Sequence, residues 1–146
     1  MDVRRVTDRY SVAPQIAAED VATLRDRGFV LVINNRPDGE EPGQPAGAEI
    51  EAAAEAAGIA YRAIPVAGGF SEPQVAEMVE TVAGANGPVF AFCRSGTRST
   101  LLWALAQASQ GQDLETIADA VTGAGYDVTP VRAAMDALAE RGRPTS

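Results

Sequence analysis

The chain has no histidine and no lysine, and only one cysteine. Without histidine, and with a single thiol, the usual zinc and transition-metal ligand sets cannot be assembled, and no cofactor is implied. Without lysine there is no Schiff-base chemistry. One cysteine excludes an internal disulfide framework and fits a reducing compartment. All 12 basic side chains are therefore arginines, set against 20 carboxylates, for a net charge of −8. An acidic chain without a basic stripe is a poor ligand for nucleic acid. No apolar run reaches the length of a membrane span, and the first residues form no apolar leader, so a soluble cytoplasmic protein is expected. Aromatic residues are scarce, at 5%, while apolar residues make up 46%. The core must then be built from Ala, Val, Leu and Ile. The 146 residues suggest one domain, with an ordered core over about 9–141.

What is present alternates between strand and helix patterns. Residues 1–8 are polar and expected to be loose, and Arg9–Ala13 reads as a short edge strand. Residues 17–27 are patterned as a helix that stops at Gly28. Phe29-Val30-Leu31-Val32-Ile33 is a continuous apolar run, as a strand buried on both faces requires. Asn34–Pro45 holds three prolines and two glycines and reads as a surface loop at a strand end. Ile50, Ala53, Ala54 and Ala57 form a helical stripe closed by Gly58. Ile59–Val66 is a further strand, followed by a turn at Ala67–Phe70. Ser71 is placed to cap a helix with Val75, Met78, Val79 and Val82 on one face.

After the run Val89-Phe90-Ala91-Phe92-Cys93, three helical patterns follow in succession. They carry Leu101, Leu102 and Leu105, then Leu114, Ile117 and Val121, then Val131, Met135 and Leu138. Thr129-Pro130 opens the last. Met78 and Trp103 read as core, and the tail after Arg141 is expected to fray. This order implies an α/β fold. A small, mostly parallel central sheet is flanked by helices, and a C-terminal helical cluster covers one face. Three loops should meet at the carboxyl ends of the strands: Asn34–Pro45, Ala67–Ser71 and Cys93–Arg98.

The only cysteine sits where a buried strand ends, and Arg98 follows five positions later where a helix begins. A cysteine at a strand end is ordinarily a small buried hydrophobe. Here Arg94 and Arg98 bracket it. Gly96 lets the loop fold back, with the N–H groups of Ser95, Gly96 and Thr97 turned inward. Ser99 is placed to donate to the sulfur. Two arginines are costly beside an apolar interior unless an anion pairs with them. A helix start adds its positive end. Cys93 should therefore be a thiolate at neutral pH in an oxyanion-binding loop, which suggests covalent catalysis on an anionic group.

Cys93-Arg94-Ser95-Gly96-Thr97-Arg98-Ser99 resembles the active-site loop of rhodaneses. With one residue fewer, it also resembles the signature loop of protein tyrosine and dual-specificity phosphatases. The wider chain resembles a bacterial family, the phosphatase-like domain of the beta-lactamase hydrolase-like proteins. Val32-Ile33-Asn34-Asn35-Arg36-Pro37-Asp38-Gly39-Glu40 and Ile64-Pro65-Val66 carry that likeness together with the Cys93 loop. The resemblance implies a protein tyrosine/dual-specificity phosphatase-like fold. It also implies a domain found alone or fused to a metallo-beta-lactamase-type sulfur dioxygenase, which makes such a dioxygenase a candidate partner.

Two features bear on the reaction. Four residues separate Cys93 from Arg98, where the phosphatase pattern has five. The loop matching the one that supplies the acid in dual-specificity enzymes is Ala67-Gly68-Gly69-Phe70-Ser71, and it has no carboxylate. Sulfur transfer from thiosulfate needs no acid. The leading expectation is a sulfurtransferase, in which Cys93 takes sulfur from thiosulfate or a persulfide and passes it to a thiol. The alternative is a phosphatase acting on a phosphate ester through a phosphocysteine, with Arg98 clamping the oxygens. A third is a non-catalytic anion-binding or redox-sensing module. Arg36 and Asp38 are left open between the site, where either would contact substrate or Asp38 would supply an acid, and a solvated loop. Glu40 and Glu41 are expected to be solvated.

Overall fold

The computed structural model describes residues 1–141. The strands are β1 (Arg4–Thr7), β2 (Tyr10–Ala13), β3 (Leu31–Asn34), β4 (Ala60–Ala63) and β5 (Val89–Phe92). They form one sheet in the order β1-β2-β5-β3-β4. β1 is antiparallel to β2, and every other pairing is parallel. The helices are α1 (Asp20–Asp26), α2 (Gly47–Ala57), α3 (Glu72–Ala83), α4 (Thr97–Ser109), α5 (Leu114–Gly123) and α6 (Arg132–Arg141). Among the described residues no helix is long and apolar enough to cross a membrane.

The inner strands β3 and β5 are buried along their whole length because both faces of the sheet are covered there. Successive strand residues point to opposite sides. Leu31, Ile33, Val89 and Ala91 accordingly pack with the face that holds α3 to α6, while Val32, Phe90 and Phe92 pack with α1 and α2. α4 is buried almost all round, from Ser99 through Ala106. It contacts α3, α5 and α6, as a helix apolar on every side must. α5 and α6 are the expected C-terminal cluster. The Ser71 cap is present as a reciprocal capping box with Gln74, which fixes where α3 starts.

Two expectations change. The N-terminal residues include β1, so β1 is the edge strand, whereas β2 lies inside the sheet with all four residues buried. The reason is compositional: β1 carries Arg4 and Arg5 outward and buries only Val6. Charges on an edge protect it from further pairing but hide it from hydrophobic patterning. β4, expected over Ile59–Val66, pairs as a strand only over Ala60–Ala63. Ile64 and Val66 continue extended, donating N–H bonds to the carbonyls of Asn34 and Asn35 at 2.9 and 3.0 Å. The last helix is preceded by a 3-10 turn at Thr129–Val131.

Leu102 is fully buried in the middle of α4. Leu102→Ala should cost about 3 kcal/mol through lost transfer energy and a residual cavity, read as a lower midpoint in urea unfolding. A loss under about 1 kcal/mol would show that α4 is not the packing centre.

Candidate active site

β5 delivers Cys93 fully buried at its carboxyl end. The chain then turns through Gly96, which has φ +89 and forms the N-cap of α4. The Gly96 N–H donates to the Cys93 sulfur at 3.1 Å, so a donor and the positive end of α4 both face it. A Cβ at position 96 would run into the Tyr126 hydroxyl, and the positive φ disfavours any side chain. Tyr126 donates to the Ser95 carbonyl at 3.0 Å. The Gln15 N–H approaches the Arg94 carbonyl at 3.3 Å. Thr100 ties the helix start through its hydroxyl, which donates to the Gly96 carbonyl at 2.8 Å. Behind the loop, the buried Tyr10 hydroxyl donates to the Ser99 carbonyl at 2.8 Å. Burial holds Tyr10 well above the ordinary tyrosine pKa, and charge on Cys93 adds to this.

Arg98 lies in the first turn of α4. Its two terminal nitrogens grip the Glu40 carboxylate, each at 2.7 Å, and one of them also donates to the Val66 carbonyl at 2.7 Å. This is a bidentate fork-to-carboxylate pair. Hydrogen bonding to Glu40 raises the Arg98 pKa, partial burial opposes this, and negative charge on Cys93 raises it further. Glu40 is lowered to about 2, chiefly by the Arg98 hydrogen bond and further by Arg36, against some desolvation.

Arg36 is more deeply placed, with its side chain only 1% exposed. It donates to Glu40 at 2.9 Å, Gln15 at 3.1 Å and Glu41 at 3.0 Å. Burial works against its charge, but the bonds to Glu40 and Glu41 outweigh that and raise its pKa. Glu41 also lies 3.6 Å from Arg94. Its carboxylate is lowered first by Arg36 and then by Arg94.

Two of the loops, Asn34–Pro45 and Cys93–Arg98, converge. At the end of the third strand Val66, just before Ala67–Ser71, reaches Arg98, but the roles of the loop residues shift. Glu40 and Glu41, expected to be solvated, are the counter-ions of the site. The loop is bent by its own residues: Gly39 and Gly43 both take positive φ, and the Gln44 side chain bonds both the Glu40 N–H and the Pro37 carbonyl. The loop thus bends back over Arg98. Arg94 projects outward with its side chain 66% exposed, so only Arg98 of the bracketing pair meets the interior. Asp38 accepts from the Gly47 N–H at the start of α2. It lines a cleft of about 380 Å³ with Arg36, Tyr61 and Arg62, away from Arg98. Ser95 and Thr97 bond each other through their hydroxyls at 3.0 Å. Ser99 is fully buried, but its hydroxyl has no hydrogen-bond partner, so the expected bond to the sulfur is not formed. Gln15 and Tyr126 were not visible as site residues in the sequence, because no local pattern links them to a loop about 80 or 30 positions away. Among the described residues no group of three His, Cys, Asp or Glu is placed to hold a metal ion.

The family of the beta-lactamase hydrolase-like protein, phosphatase-like domain, matches residues 2–110. The chain belongs to this family. The Beta-lactamase hydrolase-like protein of Agrobacterium fabrum is 42% identical over 113 residues, which is 77% of this chain and 26% of the relative. Its counterpart in Xylella fastidiosa is 34% identical over the same extent. The chain thus spans about a quarter of the length of these relatives. Among solved structures, a candidate phosphatase of Neisseria meningitidis superposes with a TM-score of 0.81 at 29% identity, covering 94% of this chain and 99% of the other. Tk-PTP, in a glycine-to-alanine form, gives 0.74 at 19% identity, covering 96% and 95%. TpbA of P. aeruginosa, in a cysteine-to-serine form in complex with pTyr, gives 0.67 at 19% identity, covering 96% and 89%. The fold of this phosphatase-like domain is that of the tyrosine and dual-specificity phosphatases, as expected. The family match ends before Tyr126, so one anchor of the Cys93 loop comes from outside the matched segment.

Two outcomes follow from this geometry. Gly96→Ala should displace the Ser95–Thr97 peptides and lower any Cys93-dependent turnover by about a hundredfold, with a smaller loss of thermal stability. Unchanged turnover would show that the loop is not held by Tyr126. Glu40 is held below the ~4.3 of an unfolded glutamate. Its stabilisation is therefore complete above about pH 4.5 and is lost as pH falls toward 2. Glu40→Gln should flatten the decline in stability over that window. An unchanged slope in acid titration would show that the Arg98 contact does not persist in solution.

Proposed function

We propose that this domain is a cysteine-dependent phosphatase that hydrolyses phosphate monoesters through a phosphocysteine on Cys93. The observation that carries this reading is the Arg98 fork. It sits beside the buried Cys93 sulfur and holds a two-oxygen anion with both terminal nitrogens. A phosphoryl group presents the same pair of oxygens. The family match and the likeness to a fold that holds pTyr in TpbA support the same choice. They favour phosphoryl transfer over the sulfur transfer expected first, and nothing in them favours a thiosulfate or persulfide donor, a thiol acceptor or a dioxygenase partner.

In the proposed reaction the Cys93 thiolate attacks phosphorus. The S–P bond forms as the P–O bond to the leaving group breaks. Water then attacks the phosphocysteine, the S–P bond breaks, and inorganic phosphate leaves with Cys93 restored. Arg98 clamps two equatorial oxygens. The N–H groups of Ser95, Gly96 and Thr97 receive the third, and the exposed Arg94 attracts anions at the rim. Ser99, next to Arg98 in sequence, is buried with an uncommitted hydroxyl and would stabilise the sulfur as it leaves if its side chain turned to it. The loop after β4 still offers no carboxylate, and Glu40 is ionised at neutral pH. The leaving oxygen therefore departs as its anion and takes its proton from water, which restricts efficient substrates to good leaving groups such as phenols.

One observation keeps sulfur transfer as a second reading: only four residues separate Cys93 from Arg98. The two chemistries separate in a paired assay. With p-nitrophenyl phosphate the protein should release phosphate, and turnover should fall steeply for alkyl phosphates. Cys93→Ser should abolish release, and Arg98→Lys should lower it by about a hundredfold, because a point charge cannot replace the fork. Conversion of thiosulfate and cyanide to thiocyanate, with no release of phosphate, would overturn the proposal in favour of sulfur transfer. Inactivity in both assays would leave an anion-binding module.

A further inference from the structure

We propose that Tyr126 is a positioning residue for the Cys93 sulfur. Its hydroxyl holds the Ser95–Gly96 peptide, and that peptide hands its N–H to the sulfur. The inference rests on the reading of Cys93 as the nucleophile, but not on which substrate the nucleophile attacks.

Two hydrogen bonds meet on one peptide unit. The Tyr126 hydroxyl donates to the Ser95 carbonyl at 3.0 Å, and the Gly96 N–H donates to the Cys93 sulfur at 3.1 Å. In a planar trans peptide the C=O and the N–H point in opposite directions. Fixing the carbonyl on one side therefore aims the N–H at the sulfur on the other. A donor on the carbonyl also polarises the unit and strengthens its N–H. The preceding peptide is held in the same manner. The Gln15 N–H donates to the Arg94 carbonyl at 3.3 Å, which turns the Ser95 N–H to the opposite side.

The Ser95–Gly96 peptide needs such a clamp. Gly96 takes φ +89, and a glycine leaves the adjoining peptide free to rotate. Rotation would take the N–H off the sulfur and the carbonyl off Tyr126 together. The hydroxyl packs where a Cβ of residue 96 would lie, so the absent side chain is what admits it. Tyr126 is itself fixed, with the Arg4 guanidinium 5.4 Å from its ring centroid. Burial raises the Tyr126 pKa above the ordinary value, Arg4 opposes this, and charge on Cys93 and Asp2 adds to it. The phenol thus remains a donor at neutral pH. Tyr126 lies after α5, and the family match, which ends at residue 110, does not include it.

The test reads the sulfur directly. Cys93 is the only cysteine. The ultraviolet absorbance of its thiolate, taken as the difference from a matched Cys93→Ser protein, can therefore be titrated against pH. The titratable groups that interact with this charge are Arg98, Tyr10 and Tyr126. Tyr126→Phe removes the hydroxyl and keeps the ring under Arg4. It should raise the midpoint of thiolate formation by about one pH unit, which is a tenfold loss of thiolate below both midpoints. In that range kcat/KM for p-nitrophenyl phosphate should fall by about tenfold with it. Val128, buried two positions on, serves as the comparison. Val128→Ala should lower thermal stability and leave the midpoint in place. An unmoved midpoint in Tyr126→Phe would overturn the inference. An equal rise in Val128→Ala would also overturn it, because general loosening of the segment would then be enough. A midpoint that rises in a protein that hydrolyses no phosphate ester keeps this inference and sinks the phosphatase reading. An unmoved midpoint beside brisk hydrolysis sinks only this inference.

Discussion

The site is organised around a buried guanidinium. Arg36 leaves the end of β3 with its side chain 1% exposed, and a charge taken out of water at that depth must be paired. Gln15, Glu40 and Glu41 all converge on it. To bring two adjacent glutamates to one arginine, the loop after β3 must fold back over the carboxyl ends of the strands. That same fold carries Glu40 onto Arg98 and Glu41 toward Arg94. The cover over the Cys93 loop is thus a consequence of burying Arg36, and the two ion clusters form one network.

The Cys93 loop is held from several sides. Phe92 accepts the Asn35 N–H, so the strand end that carries the cysteine is bonded to the strand end that carries Arg36. Gln15 reaches the loop from the segment after β2, and Tyr126 from the segment after α5. Gly96 has the small volume and positive φ that this enclosure requires. Arg4 lies over the Tyr126 ring, 5.4 Å from its centroid, so β1 also braces that contact. A loop fixed at this many points presents its donors in one arrangement, which is the preorganisation that electrostatic catalysis depends on. Where four residues rather than five lie between cysteine and arginine, that rigidity decides what fits.

The fold and the identity of the central loop were legible in the sequence because both are local. The apolar runs at residues 29–33 and 89–92 mark buried strands. The stripe of Val75, Met78 and Val82 marks a helix, and the Ser71–Gln74 pair marks its start. Cys93, Gly96 and Arg98 are six residues apart or fewer, so their meeting needs only one tight turn into a helix. The edge strand Arg4–Thr7 was not legible, because two of its four residues are arginines facing solvent. The position of Arg9–Ala13 within the sheet was hidden for the same reason, since pairing order depends on a neighbour that hydrophobicity does not reveal.

What the sequence determined by itself was therefore an α/β architecture and a cysteine loop at the end of a parallel strand. Short-range periodicity and spacing encode both. Which charges meet across the site was decided only by the tertiary structure. Glu40 lies 58 positions from Arg98, and Tyr126 lies 31 positions from Ser95. At such separations a glutamate in a Pro- and Gly-rich loop looks like any solvated side chain. Its partner is fixed only when the backbone closes and a buried arginine has to be neutralised.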